Sequence, residues 1–145
     1  MNKSFNIPNK KARFENEILE VYSAGILLTG TEIKSIRQGK VSFNDSYCFF
    51  AGNELFVRNL HISEYSHGNI YNHDPLRIRK LLLTARELRK LHSKVKEKGL
   101  TIIPLRIFSS ERGFAKMEIA LAKGKKLYDK RDSLREKQYK KEEKY

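Results

Sequence analysis

Apolar residues in this chain fall into about six short alternating runs, each closed by a turn signal, and few folds accept that pattern. Phe14, Ile18 and Tyr22 share one parity, with Leu19 and Val21 on the other, which reads as a strand. Ser23-Ala24-Gly25 is expected to turn it into a second, short strand over Ile26 to Leu28. Ser46 to Phe50 and Glu54 to Ile62 form a hairpin pattern around Ala51-Gly52-Asn53. Leu100 to Phe108 and Phe114 to Ala122 form the last pair, turning over residues 109–113. Two capping boxes mark helices. Thr29-Gly-Thr-Glu32 precedes Ile33 and Ile36, and Gly39 stands where a left-handed cap belongs. Thr84-Ala-Arg-Glu87 opens a helix whose stripe is Ala85, Leu88, Leu91 and Val95, closed by Gly99. The expected fold is mainly β: a small closed antiparallel barrel with two to three peripheral helices. A split sandwich is the alternative.

Such a barrel matches the oligonucleotide-binding (OB) type, and the charge points the same way. Thirty Lys and Arg stand against seventeen Asp and Glu, a net charge of +13. An excess of that size implies a polyanionic partner, nucleic acid before an anionic membrane. No apolar run approaches the ~20 residues of a membrane span. The α-helical stripe at Leu88 and Leu91 is narrow and aliphatic, suited to packing on a sheet rather than lying on lipid. Cys48 is the lone cysteine, so no internal disulfide can form, and the expected location is cytoplasmic.

The cations are unevenly placed. Residues 1–13 carry Lys3, Lys10, Lys11 and Arg13 with no acid; residues 14–60 are slightly acidic; residues 75–98 and 123–145 are strongly basic. Three segments follow: a flexible basic arm over 1–12, a barrel over 13–127, and a basic tail over 128–145. The tail is helical by propensity but too poor in apolar residues to fold alone.

The densest basic stretch begins where the last strand ends. Lys123, Lys125, Lys126, Lys130 and Arg131 surround Gly124 and Tyr128. Cations so close repel one another, and they gain when a polyanion displaces condensed counterions along them. Gly124 permits close backbone approach or an unusual φ, and Tyr128 offers a ring on which a base could stack. The polar connection before residue 76 holds His61, His67 and His73 with Glu64 and Asp74. Its spacing matches no zinc signature and no His-Glu-x-x-His. A loop lying against RNA, with Tyr65 and Tyr71 available for stacking, is the expected reading. Glu32 reads as a cap rather than a catalytic acid. No catalytic residue, cofactor or metal is expected.

The order Asn9-Lys-Lys-Ala-Arg13, Ala24-Gly25, Gly30-Thr-Glu-Ile-Lys-Ser35, Gly39-Lys40, Asp45-Ser-Tyr47, Asp74-Pro75, Arg79-Lys-Leu-Leu-Leu83, Ala122-Lys-Gly-Lys-Lys126 and Asp129-Lys-Arg131 resembles small protein B (SmpB), the transfer-messenger RNA (tmRNA) binding family of bacteria. The resemblance covers nearly the whole chain. It implies an OB-type barrel and a role in trans-translation, in which the tRNA-like part of tmRNA is escorted to a 70S ribosome stalled without a stop codon. It implies no catalysis, and a monomer is expected.

RNA contacts are expected at Asn9, Lys10, Lys11, Arg13, Lys80, Leu82, Lys116, Lys123, Gly124, Lys125 and Lys126; the resemblance itself implies Asn9, Lys10, Leu82, Lys116, Lys123, Lys125 and Lys126, and matches Gly124 to the family's post-barrel motif. Leu82 corresponds to an apolar contact with the tRNA-like elbow. Tyr128, Asp129, Lys130 and Arg131 correspond to a motif that works at the decoding centre, where the tail replaces the missing codon–anticodon helix in the mRNA channel. Two departures stand out. Ser23 occupies a place where some relatives carry an acid, and no late apolar pair follows Arg131 in the tail. A permanently bound ribosomal assembly protein is the alternative function, and a nuclease built on the His61–Asp74 loop is a third.

Overall fold

The structure, a computed structural model, describes residues 4–66 and 71–125. In chain order the elements are β1 (Asn6–Pro8), α1 (Ala12–Glu15), β2 (Asn16–Ile26), α2 (Gly30–Arg37), β3 (Val41–Ser42), β4 (Tyr47–Ala51), β5 (Glu54–Arg58), β6 (His61–Ile62), β7 (Arg79–Leu82), α3 (Ala85–Lys94), β8 (Leu100–Ser109) and β9 (Ala115–Gly124). Six strands close into an antiparallel ring in the order β8-β4-β5-β7-β2-β9, and β9 returns to β8. The mainly β expectation with peripheral helices is therefore met. β3 and β6 make a separate two-stranded pair.

Alternation explains why the ring fills. Ala24 and Ile26 of β2, Cys48 of β4, Leu55 and Val57 of β5, Leu81 of β7, Ile102 and Ile107 of β8, and Met117, Ile119 and Leu121 of β9 all point inward and are buried. Ile36 of α2 and Leu91 of α3, both fully buried, join the same core from their helices. Long strands must bend to close so small a ring. β2 bends at an irregularity between Ile18 and Glu20, and β8 at another between Pro104 and Arg106. A proline inside β8 is tolerated because it stands at that break in the ladder. On the outside of β8 and β9 a second, smaller cluster joins Ala12, Ile103, Leu105, Ala120 and Ala122. Three of these five are alanines, which lets α1 lie close on the sheet.

Both capping boxes form as read. Thr29 and Thr84 each accept from the amide three residues on, and Glu32 and Glu87 reach back to the cap amides. Gly39 takes φ +74 after α2, as expected of a left-handed cap. The helix α3 is shorter than its stripe suggested: it stops at Lys94, and Gly99 at φ +83 redirects the chain only after an intervening turn. Leu91 is buried and Leu88 and Val95 pack on the core, but Ala85 is exposed.

Four expectations are corrected. Residues Asn6–Pro8, read as part of an unstructured arm, pair with β8, Ile7 lying opposite Ile107. Phe5 and Ile7 pack against the core, and full burial of such side chains is worth roughly 1.5–3 kcal/mol each. Ser109 ties down the Phe5 backbone: its hydroxyl accepts from the Phe5 amide, and its own amide and hydroxyl donate to the Phe5 carbonyl. Phe14 lies in α1 rather than opening a strand, and β2 runs unbroken through Ser23-Ala24-Gly25. Gly25 has no positive φ; its neighbours hold it in a ladder on both sides. The run from Glu54 to Ile62 divides into β5 and β6, because Asn59 at φ 61 breaks it. β7 was not anticipated at all. Its cations hid a period of two: Arg79 and Leu81 are buried, while Lys80 and Leu82 face outward.

Candidate nucleic-acid interface

Four neighbouring strands build one part of the interface. Gly25 of β2 lies opposite Leu82 of β7 on one side and Lys116 of β9 on the other. Lys116 in turn lies opposite Phe108 of β8. The order Leu82, Gly25, Lys116, Phe108 is thus a continuous row across four strands. Leu82 is 46% exposed although it is a leucine in a strand. A groove of about 380 Å³ runs beside it, lined also by Leu28, Ile33 and Phe114. A methyl added at Gly25 would meet the Leu82 side chain at 3.4 Å, ordinary contact, so the glycine keeps this groove open rather than relieving a clash. The Arg106 guanidinium lies over the Phe108 ring, 4.0 Å from its centroid, and pairs with Glu118 at 3.2 Å. An apolar contact beside one ammonium group suits the face of a base next to a phosphate.

The position of Leu82 depends on a buried ion pair that the sequence reading left out. Arg79 and Glu32 are both fully buried. Glu32 accepts from Arg79 Nε and from Arg77 Nη2, the latter at 2.6 Å, and from the Thr29 amide at 2.8 Å. Arg79 also donates to the Leu60 carbonyl and, at 3.2 Å, to that of Pro75. Burial alone pushes the Glu32 carboxyl up, but the Arg77, Thr29 and Arg79 contacts outweigh it and hold the group below its ordinary value. Burial likewise pulls Arg79 down, with Glu32 opposing. Glu32 is therefore a cap, as expected, and also the anchor of β7. With Arg79 held inward, the strand's period of two sends Lys80 and Leu82 out. Lys80 is paired with Glu54 at 2.9 Å, so its charge is partly spent within the protein.

The second part lies at the far end of β9. Lys123 and Gly124 are exposed, opposite Glu17 and Asn16 of β2. The Lys125 amide donates to the Glu15 carbonyl at the end of α1. That bond joins the exit of β9 to the element carrying Arg13, with Lys10 and Lys11 just before it, all three exposed. Lys10 and Lys11 line a cleft of about 500 Å³ with Asn16, Asn44 and Asp45. Asn9 behaves differently from its basic neighbours. Its side-chain amide donates to the Pro104 carbonyl at 2.9 Å and its backbone amide to Leu105 at 2.8 Å. Those bonds fix the turn from which Lys10 and Lys11 project. Gly124 has no positive φ, and among the described residues a methyl there would meet no atom within 4 Å.

The sequence-derived residues thus gather into two groups rather than one. Lys116 and Lys123 are seven residues apart on β9, roughly 23 Å at about 3.3 Å per residue. Lys126, Tyr128, Asp129, Lys130 and Arg131, and the tail over 128–145, lie outside the described residues, as does His67. His73 is 6% exposed, and its ring nitrogens reach the Thr31 hydroxyl at 2.9 Å and the Ile62 carbonyl at 2.8 Å. It holds the connection against α2 instead of facing a ligand. Among the described residues no group of three or more His, Cys, Asp or Glu side chains is placed to hold a metal ion. No described helix is long and apolar enough to cross a membrane.

Comparison with known proteins identifies the family. Residues 6–145 match the family model for the SmpB protein. The chain is 62% identical over 135 residues to the SsrA-binding protein of Cytophaga hutchinsonii, covering 93% of this chain and 88% of the relative. It is 57% identical over 136 residues to the SsrA-binding protein of Flavobacterium johnsoniae, covering 94% and 90%. It also superposes on a solved chain from work described as "tmRNA-SmpB: a journey to the center of the bacterial ribosome". The TM-score is 0.74 at 49% identity, over 90% of this chain and 94% of that one.

Proposed function

This chain belongs to the SmpB protein family, and from that premise we propose how its two basic groups divide the work. The protein is an RNA-binding protein of trans-translation. It binds the tRNA-like domain of tmRNA and brings it to stalled ribosomes, which places its work in the cytoplasm. The ring supplies the RNA-binding surface, and the tail enters the decoding centre. There Tyr128 stacks on a base while Asp129, Lys130 and Arg131 engage the ribosome. No bond is made or broken by the protein, and no cofactor takes part.

The observation that carries the reading is the row Leu82, Gly25, Lys116 on adjacent strands, set on a chain that matches a tmRNA-SmpB structure over most of its length. Leu82 covers an unstacked or terminal surface of the RNA, and Lys116 neutralises a phosphate beside it. Lys123, Lys125 and Lys126 follow the RNA backbone from the other end of β9, with Lys10, Lys11 and Arg13 alongside and Asn9 holding their turn. Lys80 adds a charge only where RNA competes with Glu54.

Changing Lys123, Lys125 and Lys126 together to Ala should weaken tmRNA binding and flatten its salt dependence. Each lost phosphate contact removes roughly 0.7–0.9 from the slope of log K against log salt. Titrations from low to high salt measure it. An unchanged slope would remove those lysines from the interface.

A further inference from the structure

We propose that the outer face of the β4–β5 hairpin is a stacking platform for unpaired RNA bases, formed by Tyr47, Phe49 and Phe56. The proposal rests on the RNA-binding reading above and names a class of nucleotide that this surface takes. Alternation separates the two faces of the hairpin. Cys48, Leu55 and Val57 are buried, and Phe50 packs on the core with its ring 4.6 Å from that of His92. Tyr47, Phe49 and Phe56 point the other way, where they add nothing to that core. Phe49 and Phe56 are directly paired across the strands and stack at 5.9 Å between centroids, 28° between planes. Tyr47 continues the ladder at 6.3 Å from Phe49 and is 36% exposed.

Charge and continuity say what the ladder meets. Arg58, exposed, lies opposite Tyr47, and Lys80 lies opposite Phe56. One acid, Glu54, stands on this face and is already paired with Lys80. At one end the ladder begins directly after Asp45 and Ser46, which line the cleft beside Lys10 and Lys11. At the other end it meets β7, where Leu82 follows Lys80 on the same outward face. The rings therefore lie between the two basic groups of the interface. Flat rings flanked by cations recognise single-stranded nucleic acid, because every base has a face to stack whatever its sequence. In a duplex those faces are hidden, and only backbone charge and shape remain to be read.

Aromatic pairs across strands also stabilise a sheet, so the test must separate folding from binding. The full chain and two variants, Phe56→Leu and the pair Phe49→Leu with Phe56→Leu, are titrated at one salt concentration with a single-stranded decamer of adenylate and with a blunt RNA duplex of similar charge. Leucine keeps the strand apolar while removing the ring. The single strand should bind the double variant roughly fivefold or more weakly, with the duplex affinity unchanged. In parallel, adding the single strand to the unaltered protein should shift the ring resonances of Phe49 and Phe56, a readout independent of any folding cost. Equal loss on both RNAs, or no loss and no shift, overturns the platform. Binding of neither RNA by the unaltered protein would instead overturn the RNA-binding reading itself.

Discussion

Glu32 answers to three partners at once, and the consequences can be read in stability. Arg79 is fully buried, so removing its counter-charge strands a cation in the core. Breaking a buried pair from one side costs about 3–5 kcal/mol. Glu32→Gln should therefore lower the free energy of unfolding in urea by about that much at pH 7. The pH dependence follows from the carboxyl's depressed value. A group held below its ordinary range, about 4.3 for glutamate, contributes its full stability above that range. The contribution is lost as pH falls through the lower, folded value. The unaltered protein should thus lose stability between pH 5 and strong acid more steeply than Glu32→Gln, and parallel curves would contradict the assignment. Two other groups carry milder consequences. Glu20 is held low, first by its bond from Lys94 and then by Tyr22, whose own phenol burial pushes up to about 12. Burial also pushes the Cys48 thiol up, which makes it a core residue rather than a reactive one.

At the scale of elements, what local chemistry dictates was legible and what tertiary pairing dictates was not. The capping boxes at Thr29 and Thr84 are short-range patterns, and both form. The hairpin at Gly52 and the turn ending at Gly113, at φ 62 and 84, are short-range as well. β7 escaped because its inward partner for Leu81 is an arginine, and an arginine counted as surface charge erases the period of two. β1 escaped because three residues carry too little pattern; its strand exists through its ladder with β8. Gly25 looked like a turn and is a ladder residue, since a glycine flanked by Ala24 and Ile26 gives no local sign of what lies across from it. The cations of the candidate site were legible by type and position, but not their division between the two ends of β9. Nor was the structural duty of Asn9, whose partners on β8 lie about a hundred residues away. The tail belongs at this scale too. Removing residues 129–145 takes no residue from any described element, so binding to free tmRNA should be retained. Tagging of truncated peptides on stalled ribosomes should be abolished. Equal loss in both assays would contradict the division between ring and tail.

At the scale of the whole molecule, a closed ring holds charge and a few apolar groups at set places. A net charge of +13 guarantees attraction to any RNA. Attraction by itself does not discriminate, because every RNA offers phosphates at similar spacing. On the proposed reading, discrimination comes from the fixed relation between the Leu82–Gly25–Lys116 row and the basic group at the exit of β9, about 23 Å away. The bends in β2 and β8 and the ladder of β9 between them set that relation, and the Glu32–Arg79 pair fixes β7 within it. The most direct test is affinity for tmRNA against bulk tRNA and an unrelated structured RNA, measured at one near-physiological salt concentration. The account predicts tmRNA to bind more tightly than either competitor by at least about tenfold, or ~1.4 kcal/mol. Equal affinity for all three RNAs would contradict it.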